Sequence, residues 1–334
     1  MSTSHTPAAP AASSDPGSDP GTGIVVEGLA RSFGDVHAVR DVSFTAPAGA
    51  VTALIGPNGS GKTTLMLMLA SLLRPDSGSI RVAGADPVAH PATVRAMLGW
   101  MPDVLGSWDA LTVRSALTTT GRLYRMSPGT ADARAEVLID LVGLGDLANR
   151  PTRVLSRGQK QKLSLARSLV HDPQVLLLDE PASGLDPLAR ADLQVLVRRL
   201  AAEGKTILVS SHVLAELDEM ADTAVYVDAG VTASAERIAE SKTSQRMWRI
   251  RSADPAQLQS ALAKLGVSGD QVTVDRGEVS VPVAGEADAA SLLTKLVKAG
   301  VAVSSFAPAV GELEHTFLDL NRPKSDRTTK GGTR

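Results

Sequence analysis

Between the apolar runs at residues 51–55 and 65–69 the chain places GPNGSGKTT, residues 56–64. Three glycines, a lysine and two threonines in this order suit the holding of a polyphosphate. Gly56, Gly59 and Gly61 carry no Cβ, so the loop's amides can turn inward and come close to anionic oxygens. The helix expected to begin near Lys62 adds the positive end of its dipole. Lys62 would reach the β- and γ-phosphates and Thr63 would ligate magnesium. Asn58, Ser60 and Thr64 belong to the same candidate binding loop. A plain glycine-rich turn is the competing reading, and the strand before and helix after disfavour it.

A cradle only binds; hydrolysis needs an acid that organises the metal and a group that orients water. VLLLDEP, residues 175–181, offers both. Asp179 ends an apolar strand and can hold magnesium, while Glu180 can orient and deprotonate the attacking water. Alone, the pair would read as ordinary turn acids. A third stretch, LSRGQKQ at 155–161, makes Ser156 a good N-cap and lets Gly158 permit close backbone approach. It offers a second helix N-terminus to an anion. The first loop already holds the phosphates, so this end makes sense facing a γ-phosphate bound by another copy.

These sites need a scaffold. Residues 24–27, 42–45, 51–55, 175–178, 206–210 and 225–227 read as strands, and 62–73 and 188–202 as helices. A mostly helical stretch spans about 111–150. The continuous apolar run at 175–178 suits a parallel strand buried on both faces. Strands alternating with helices predict an α/β domain with a largely parallel central sheet. After about Ser241 the pattern changes to strand 246–251, helix 255–265, a strand pair 271–274 and 278–283 around Arg276-Gly277, helix 287–299 and strand 301–306. That is the β-α-β-β-α-β order of a ferredoxin-like unit. It carries no catalytic constellation and reads as an accessory domain.

The ordered set GPNGSGKTT, LSRGQ, VLLLDEP, SGLD (183–186) and His212 resembles the ATP-binding-cassette ATPases over about residues 24–240. The resemblance implies a P-loop cassette with an antiparallel β subdomain and a helical subdomain at about 104–155, binding ATP and Mg²⁺. It implies that Phe33 stacks on adenine and that Ser156, Gly158 and Gln159 meet the opposite subunit's nucleotide. Asp186 would bridge the subunits and His212 would position the γ-phosphate. Two residues depart from the family form. Arg157 replaces the commonest glycine of the signature. Asp103 stands where glutamine usually reaches magnesium and the attacking water, which makes it a candidate catalytic residue. The extension at 241–320, ending in LEHTFL (313–318), resembles that of drug-resistance-type exporters with a separate permease. The partners implied are a second ATPase subunit, most simply an identical one, and a multi-span permease. The place implied is the cytoplasmic face of the cell membrane. Residues 103–117, with Leu105, Trp108 and Leu111, are the expected permease dock.

The 334 residues carry 34 basic and 36 acidic side chains, a net charge of -2, and this argues against a protein that coats nucleic acid. No cysteine is present, which removes disulfides and thiolate chemistry. The first 23 residues, rich in Pro, Ser, Ala and Gly, read as a disordered arm, and the basic residues 321–334 as a disordered tail. The rival functional class is a soluble cassette ATPase acting on ribosomes, nucleic acid or protein clients. One cassette, no heptad arm and no basic excess favour transport.

Overall fold

The computed structural model describes residues 23–321 apart from 105, 107, 268–271 and 276. The expected arm and tail lie outside these residues except for their inner ends. Gly23 is buried so tightly that a Cβ would sit 2.1 Å from the Ala46 carbonyl oxygen. Asn321 caps the last helix, donating from Nδ2 to the Phe317 carbonyl at 2.7 Å.

The chain opens with β1 (Ile24–Phe33), β2 (Val36–Ala46) and β3 (Val51–Ile55), then α1 (Lys62–Leu69), β4 (Ser77–Val82), α2 (Pro91–Met97) and β5 (Leu98–Met101). Two longer helices follow, α3 (Val113–Leu123) and α4 (Pro128–Leu141), then α5 (Arg157–Ser168), β6 (Val175–Asp179), α6 (Pro187–Ala202), β7 (Thr206–Ser210) and α7 (Leu214–Met220). β8 (Thr223–Asp228), β9 (Val231–Thr232) and α8 (Ala235–Thr243) close this part. Nine strands form one sheet in the order β4-β1-β2-β9-β8-β3-β7-β6-β5. The run β8-β3-β7-β6-β5 is parallel, whereas β1 pairs antiparallel with both β2 and β4. This is the α/β P-loop architecture expected, with its antiparallel edge and a helical part built from α3 and α4.

Every residue of β3, β6 and β7 is buried, because alternate side chains feed two different cores. Leu176 and Leu178 pack with α4, α5 and α6, while Val175 and Leu177 pack with α1 and the β1–β2 side. Strand ends are thereby fixed from both faces, and the loops leaving them hold the candidate site.

Helix α1 stops at Leu69, four residues before the expected end at Leu73. Ser71 turns left-handed (φ 58°). The Leu72 amide donates to Leu67 O at 2.9 Å and the Ser71 amide to Met68 O at 3.1 Å. That pair of bonds is a Schellman stop, made here without the glycine that usually announces it.

The second part comprises β10 (Gln245–Ser252), α9 (Pro255–Lys264), β11 (Thr273–Asp275), β12 (Glu278–Ala284), α10 (Gly285–Lys298) and β13 (Val303–Pro308). Its sheet runs β11-β12-β10-β13, entirely antiparallel, over a core of Trp248, Ile250, Leu258, Leu262, Val279, Val281 and Leu296. The final helix α11 (Glu312–Leu320) returns to the first part. The Leu313 amide donates to Asp218 Oδ1 at 2.9 Å, and Arg237 donates to the Leu320 carbonyl at 2.8 Å.

Candidate functional site

β3 delivers the chain to Gly56, whose missing side chain is required: a Cβ would lie 2.2 Å from the Val227 carbonyl oxygen. Gly59 (φ 82°) and Gly61 (φ 101°) occupy backbone conformations that side chains disfavour. Gly61 is the N-cap of α1 and makes no side-chain cap, so side chains leave the first amides of that helix uncapped. Asn58 and Gly59 are exposed at the loop tip, Thr63 is exposed on the first turn, and Thr64 is half-buried. Ser60 Oγ is buried with no hydrogen-bond partner among the described residues. Lys62 Nζ folds back to donate to Gly56 O at 2.7 Å and Pro57 O at 3.0 Å. Burial pulls the Lys62 ammonium below the ordinary lysine range, against the opposing charges of Glu180 and Asp179.

β6 and β7 lie side by side, with Asp179 paired to Ser210. Asp179 Oδ1 accepts from Ser210 Oγ at 2.5 Å. Burial raises the Asp179 carboxyl above its usual value, and the charge of Asp103 raises it further, while the Ser210 hydrogen bond and Lys62 oppose the rise. Glu180 Oε2 accepts from His212 Nδ1 at 2.7 Å. Burial raises Glu180 too; His212 lowers it by hydrogen bond and charge, and Asp179 and Asp103 push it up. The backbone at Glu180 is left-handed (φ 52°), uncommon for a residue with a side chain. It is held by Glu180 N donating to Ser210 O at 3.1 Å and by Gln161 Nε2 donating to Glu180 O at 2.7 Å.

Lys62, Asp103, Asp179, Glu180 and His212 thus form one electrostatic group at the carboxyl ends of the parallel strands, where α/β sheets place their ligands. The donor set fits magnesium. Asp179 and the Thr63 hydroxyl are hard oxygen ligands, and an acid cluster answered by one lysine calls for added positive charge. Among the described residues no three carboxylates or histidines are poised as a full protein cage.

Other expected residues sit elsewhere. Phe33 ends β1, 47% exposed, with the Arg31 guanidinium carbon 4.8 Å from its ring centroid. Asp76 fixes this strand end by accepting from Arg31 at 2.6 Å and from the Ser32 amide at 2.7 Å. Ser156 and Gln159 close a capping box at the start of α5, with Ser156 Oγ accepting from Gln159 N at 3.2 Å and Gln159 Oε1 from Ser156 N at 2.9 Å. Gly158 packs on the 183–186 segment, where a Cβ would lie 3.2 Å from the Gly184 carbonyl oxygen. Asp186 N-caps α6 through the Ala189 amide at 3.0 Å. Ser156, Gly158, Gln159 and Asp186 make no hydrogen bond to their own chain's phosphate loop among the described contacts. Ser210, Gln161, Arg31 and Asp76 were not foreseen. In the sequence Ser210 is only the end of the strand expected at 206–210, two residues before His212.

The family model described as ABC transporter matches residues 39–183. The Daunorubicin resistance ATP-binding protein DrrA3 of Streptomyces coeruleorubidus is 36% identical over 302 residues, 90% of this chain and 96% of that one. The chain belongs to the ABC transporter family. Within it the chain is an ATP-binding, ATP-hydrolysing subunit whose turnover is coupled to transport. The Nod factor export ATP-binding protein I of Rhizobium meliloti is 34% identical over 264 residues, covering 77% of this chain and 79% of its own. Among solved structures, an ATP-binding subunit of an ABC transporter superposes with a TM-score of 0.60 at 27% identity, over 66% of this chain and 92% of that one. Both relatives named are export or resistance proteins, and neither favours the ribosome or nucleic-acid reading. Among the described residues no helix is long and apolar enough to cross a membrane.

Proposed function

We propose that this chain binds Mg²⁺-ATP in the 56–64 loop and hydrolyses it to drive a separate multi-span export permease from the cytoplasmic face of the cell membrane. Family cassettes act as dimers with permeases, and a second copy of this chain is the simplest partner. The observation that carries the reading is Glu180, a half-buried carboxyl beside Asp179, aimed by His212 at 2.7 Å.

The loop amides and Lys62 bind and orient the triphosphate. Lys62 must leave its two loop carbonyls to do so, exchanging neutral acceptors for charged ones. Phe33 offers its exposed face to the base. Thr63 and Asp179 would hold magnesium, which when bound supplies positive charge against the phosphates. Glu180, as carboxylate, takes a proton from the attacking water as that water's oxygen bonds to the γ-phosphorus and the bond to the bridging oxygen breaks. His212 fixes the carboxylate's orientation and keeps it more acidic than burial alone would. Ser156, Gly158 and Gln159 would complete the site of the opposite copy, and Asp186 the contact between copies. Residues 241–320 serve as an accessory domain.

Trp108 anchors the proposed permease dock. It is 40% exposed, lies under the Arg167 guanidinium at 4.9 Å, and accepts from Thr152 at its carbonyl. Leu111 is partly buried beside it. Leu105 and Ser107 lie outside the described residues.

ATP affinity and sedimentation of two variants test the reading. Lys62→Ala should lose tight ATP binding. Glu180→Gln should keep binding and accumulate an ATP-bound dimer. A Glu180→Gln protein that hydrolyses ATP as fast as the parent refutes the base assignment. Purification from membranes should bring down a chain with several apolar spans.

A further inference from the structure

The first turns of α5 touch the segment after β6 at two points. Arg157 Nη2 donates to Ser183 Oγ at 2.8 Å, and the arginine stem lies over Gly184. A Cβ on Gly184 would meet the Arg157 Cδ at 2.7 Å, and the backbone there is left-handed (φ 76°). One helical turn further along the same face, Gln161 is 2% exposed and its Nε2 donates to the Glu180 carbonyl at 2.7 Å. That carbonyl also accepts from the Ser183 amide at 3.1 Å. Residues 180–184 are thus bound from α5 at both ends, and the bond at Glu180 falls on the residue with the unfavourable positive φ. A backbone in that region persists where its surroundings over-determine it. Here the Ser210 carbonyl holds the Glu180 amide and Gln161 holds the Glu180 carbonyl.

We infer that Arg157 and Gln161 are positioning residues, a two-point clasp that aims Glu180 from α5. The inference rests on the reading of Glu180 as base. The same helix begins with Ser156 and Gly158, the end that faces the partner copy's nucleotide. A displacement of that end, when the partner's nucleotide arrives, is therefore transmitted through two short side-chain contacts to the base acting on this chain's own ATP. Gly158, between the two clasp residues, keeps the helix against Gly184 and Leu185. Arg157 then acts as a second tether on the segment that bears Glu180, made by a side chain glycine lacks.

The clasp touches neither the phosphate loop nor Phe33, so its loss should lower kcat and spare ATP affinity. Gln161→Met keeps the length and removes the donor. In the full chain it should bind a non-hydrolysable ATP analogue within roughly twofold of the parent and lose roughly tenfold or more in kcat. Arg157 is exposed, so Arg157→Gly should fold as the parent does, with kcat down by roughly two- to fivefold. Arg157→Lys, which can still reach Ser183 with a donor, should recover most of that loss. The double variant should lose less than the product of the single losses, because both contacts hold one segment. Parent kcat in both Gln161→Met and Arg157→Gly overturns the clasp, as does a loss that appears equally in analogue affinity. If Gln161→Met does not fold, the Arg157→Gly and Arg157→Lys pair decides, and equal rates in those two overturn it. Glu180→Gln is assayed alongside. Parent-rate hydrolysis by that variant refutes the base reading itself, a result distinct from any failure of the clasp variants.

Discussion

Removal of one hydroxyl isolates the electrostatics of Asp179, the acid proposed to hold the metal. Ser210 is fully buried, Asp179 nearly so, and the bond between them is 2.5 Å long. Ser210→Ala leaves the Cβ in place and opens little space, so the change is close to a pure loss of that donor. A hydrogen bond to an ionised acceptor contributes about 1.5–3 kcal/mol, and one to a neutral acceptor about 0.5–1.5 kcal/mol. Burial already raises the Asp179 carboxyl, so its ionisation works against folding, and that opposition grows as pH rises through its folded pKa. Ser210 offsets part of it by favouring the ionised form. The variant should therefore be less stable by about 1.5–3 kcal/mol near neutral pH. In acid, where Asp179 is protonated in both proteins, the gap should shrink toward the neutral-bond value. Urea unfolding followed at both pH values measures this. With a slope on the order of 2–3 kcal/mol per molar urea, the neutral-pH midpoint should fall by roughly 0.5–1.5 M. An equal gap at both pH values would show that the loss is one of packing, and that the Ser210–Asp179 bond does not tune the carboxyl.

Four further outcomes are expected. Glu180 accepts a proton only when ionised, so hydrolysis fails below its pKa; His212→Ala removes an influence that lowers that pKa and should move the acid limb of the residual kcat profile to higher pH. Asp103→Gln removes a charge that raises both Asp179 and Glu180, so it should move the same limb to lower pH, raise basal hydrolysis and weaken stimulation by a reconstituted permease; an unmoved limb makes Asp103 a bystander. Phe33→Ala should cost about 1–3 kcal/mol of base stacking, raising the ATP dissociation constant roughly five- to 150-fold while inorganic tripolyphosphate binds as before. Leu177→Ala, in the strand that carries Asp179, should cost about 2–5 kcal/mol in urea unfolding, because the side chain is wholly buried between β6 and the α1 side.

The candidate site was legible in the sequence wherever it is built from residue types that few other roles use. Gly56, Gly61 and Lys62 at fixed spacing have little structural use beyond a phosphate loop, and Asp179-Glu180 after an apolar run follows from them. The parallel strands were legible because burial on both faces leaves a continuous apolar run in each, Val175 to Leu178 in β6 and Ile207 to Val209 in β7. The β-α-β-β-α-β succession of the second part followed from strand and helix alternation alone. What stayed hidden depends on ordinary residues acquiring a role through contact. Ser71 stops α1 in a conformation usually marked by glycine, so the expected helix ran four residues long. Ser210 looks like any strand-end serine until β7 is set beside β6. Gln161 reads as one more polar position on α5, yet it is buried on the Glu180 carbonyl.

Glu180 shows why the site breaks local rules. A glycine would fit φ 52° without strain, and an unburied glutamate would ionise more readily. The fold tolerates both penalties at one residue because the Ser210 carbonyl holds its amide, the Gln161 side chain holds its carbonyl, and His212 holds its carboxyl. Each of these restraints comes from a different element: β7, α5, and the turn before α7. A carboxylate held this way has few alternative positions, so the geometry proposed for taking a proton from water exists before ATP binds. Two of those elements also begin or follow the parts proposed to meet the partner copy or the γ-phosphate. The strain at Glu180 therefore sits where a shift of either neighbour is felt at the base, and release of any one restraint should lower turnover before it lowers nucleotide affinity.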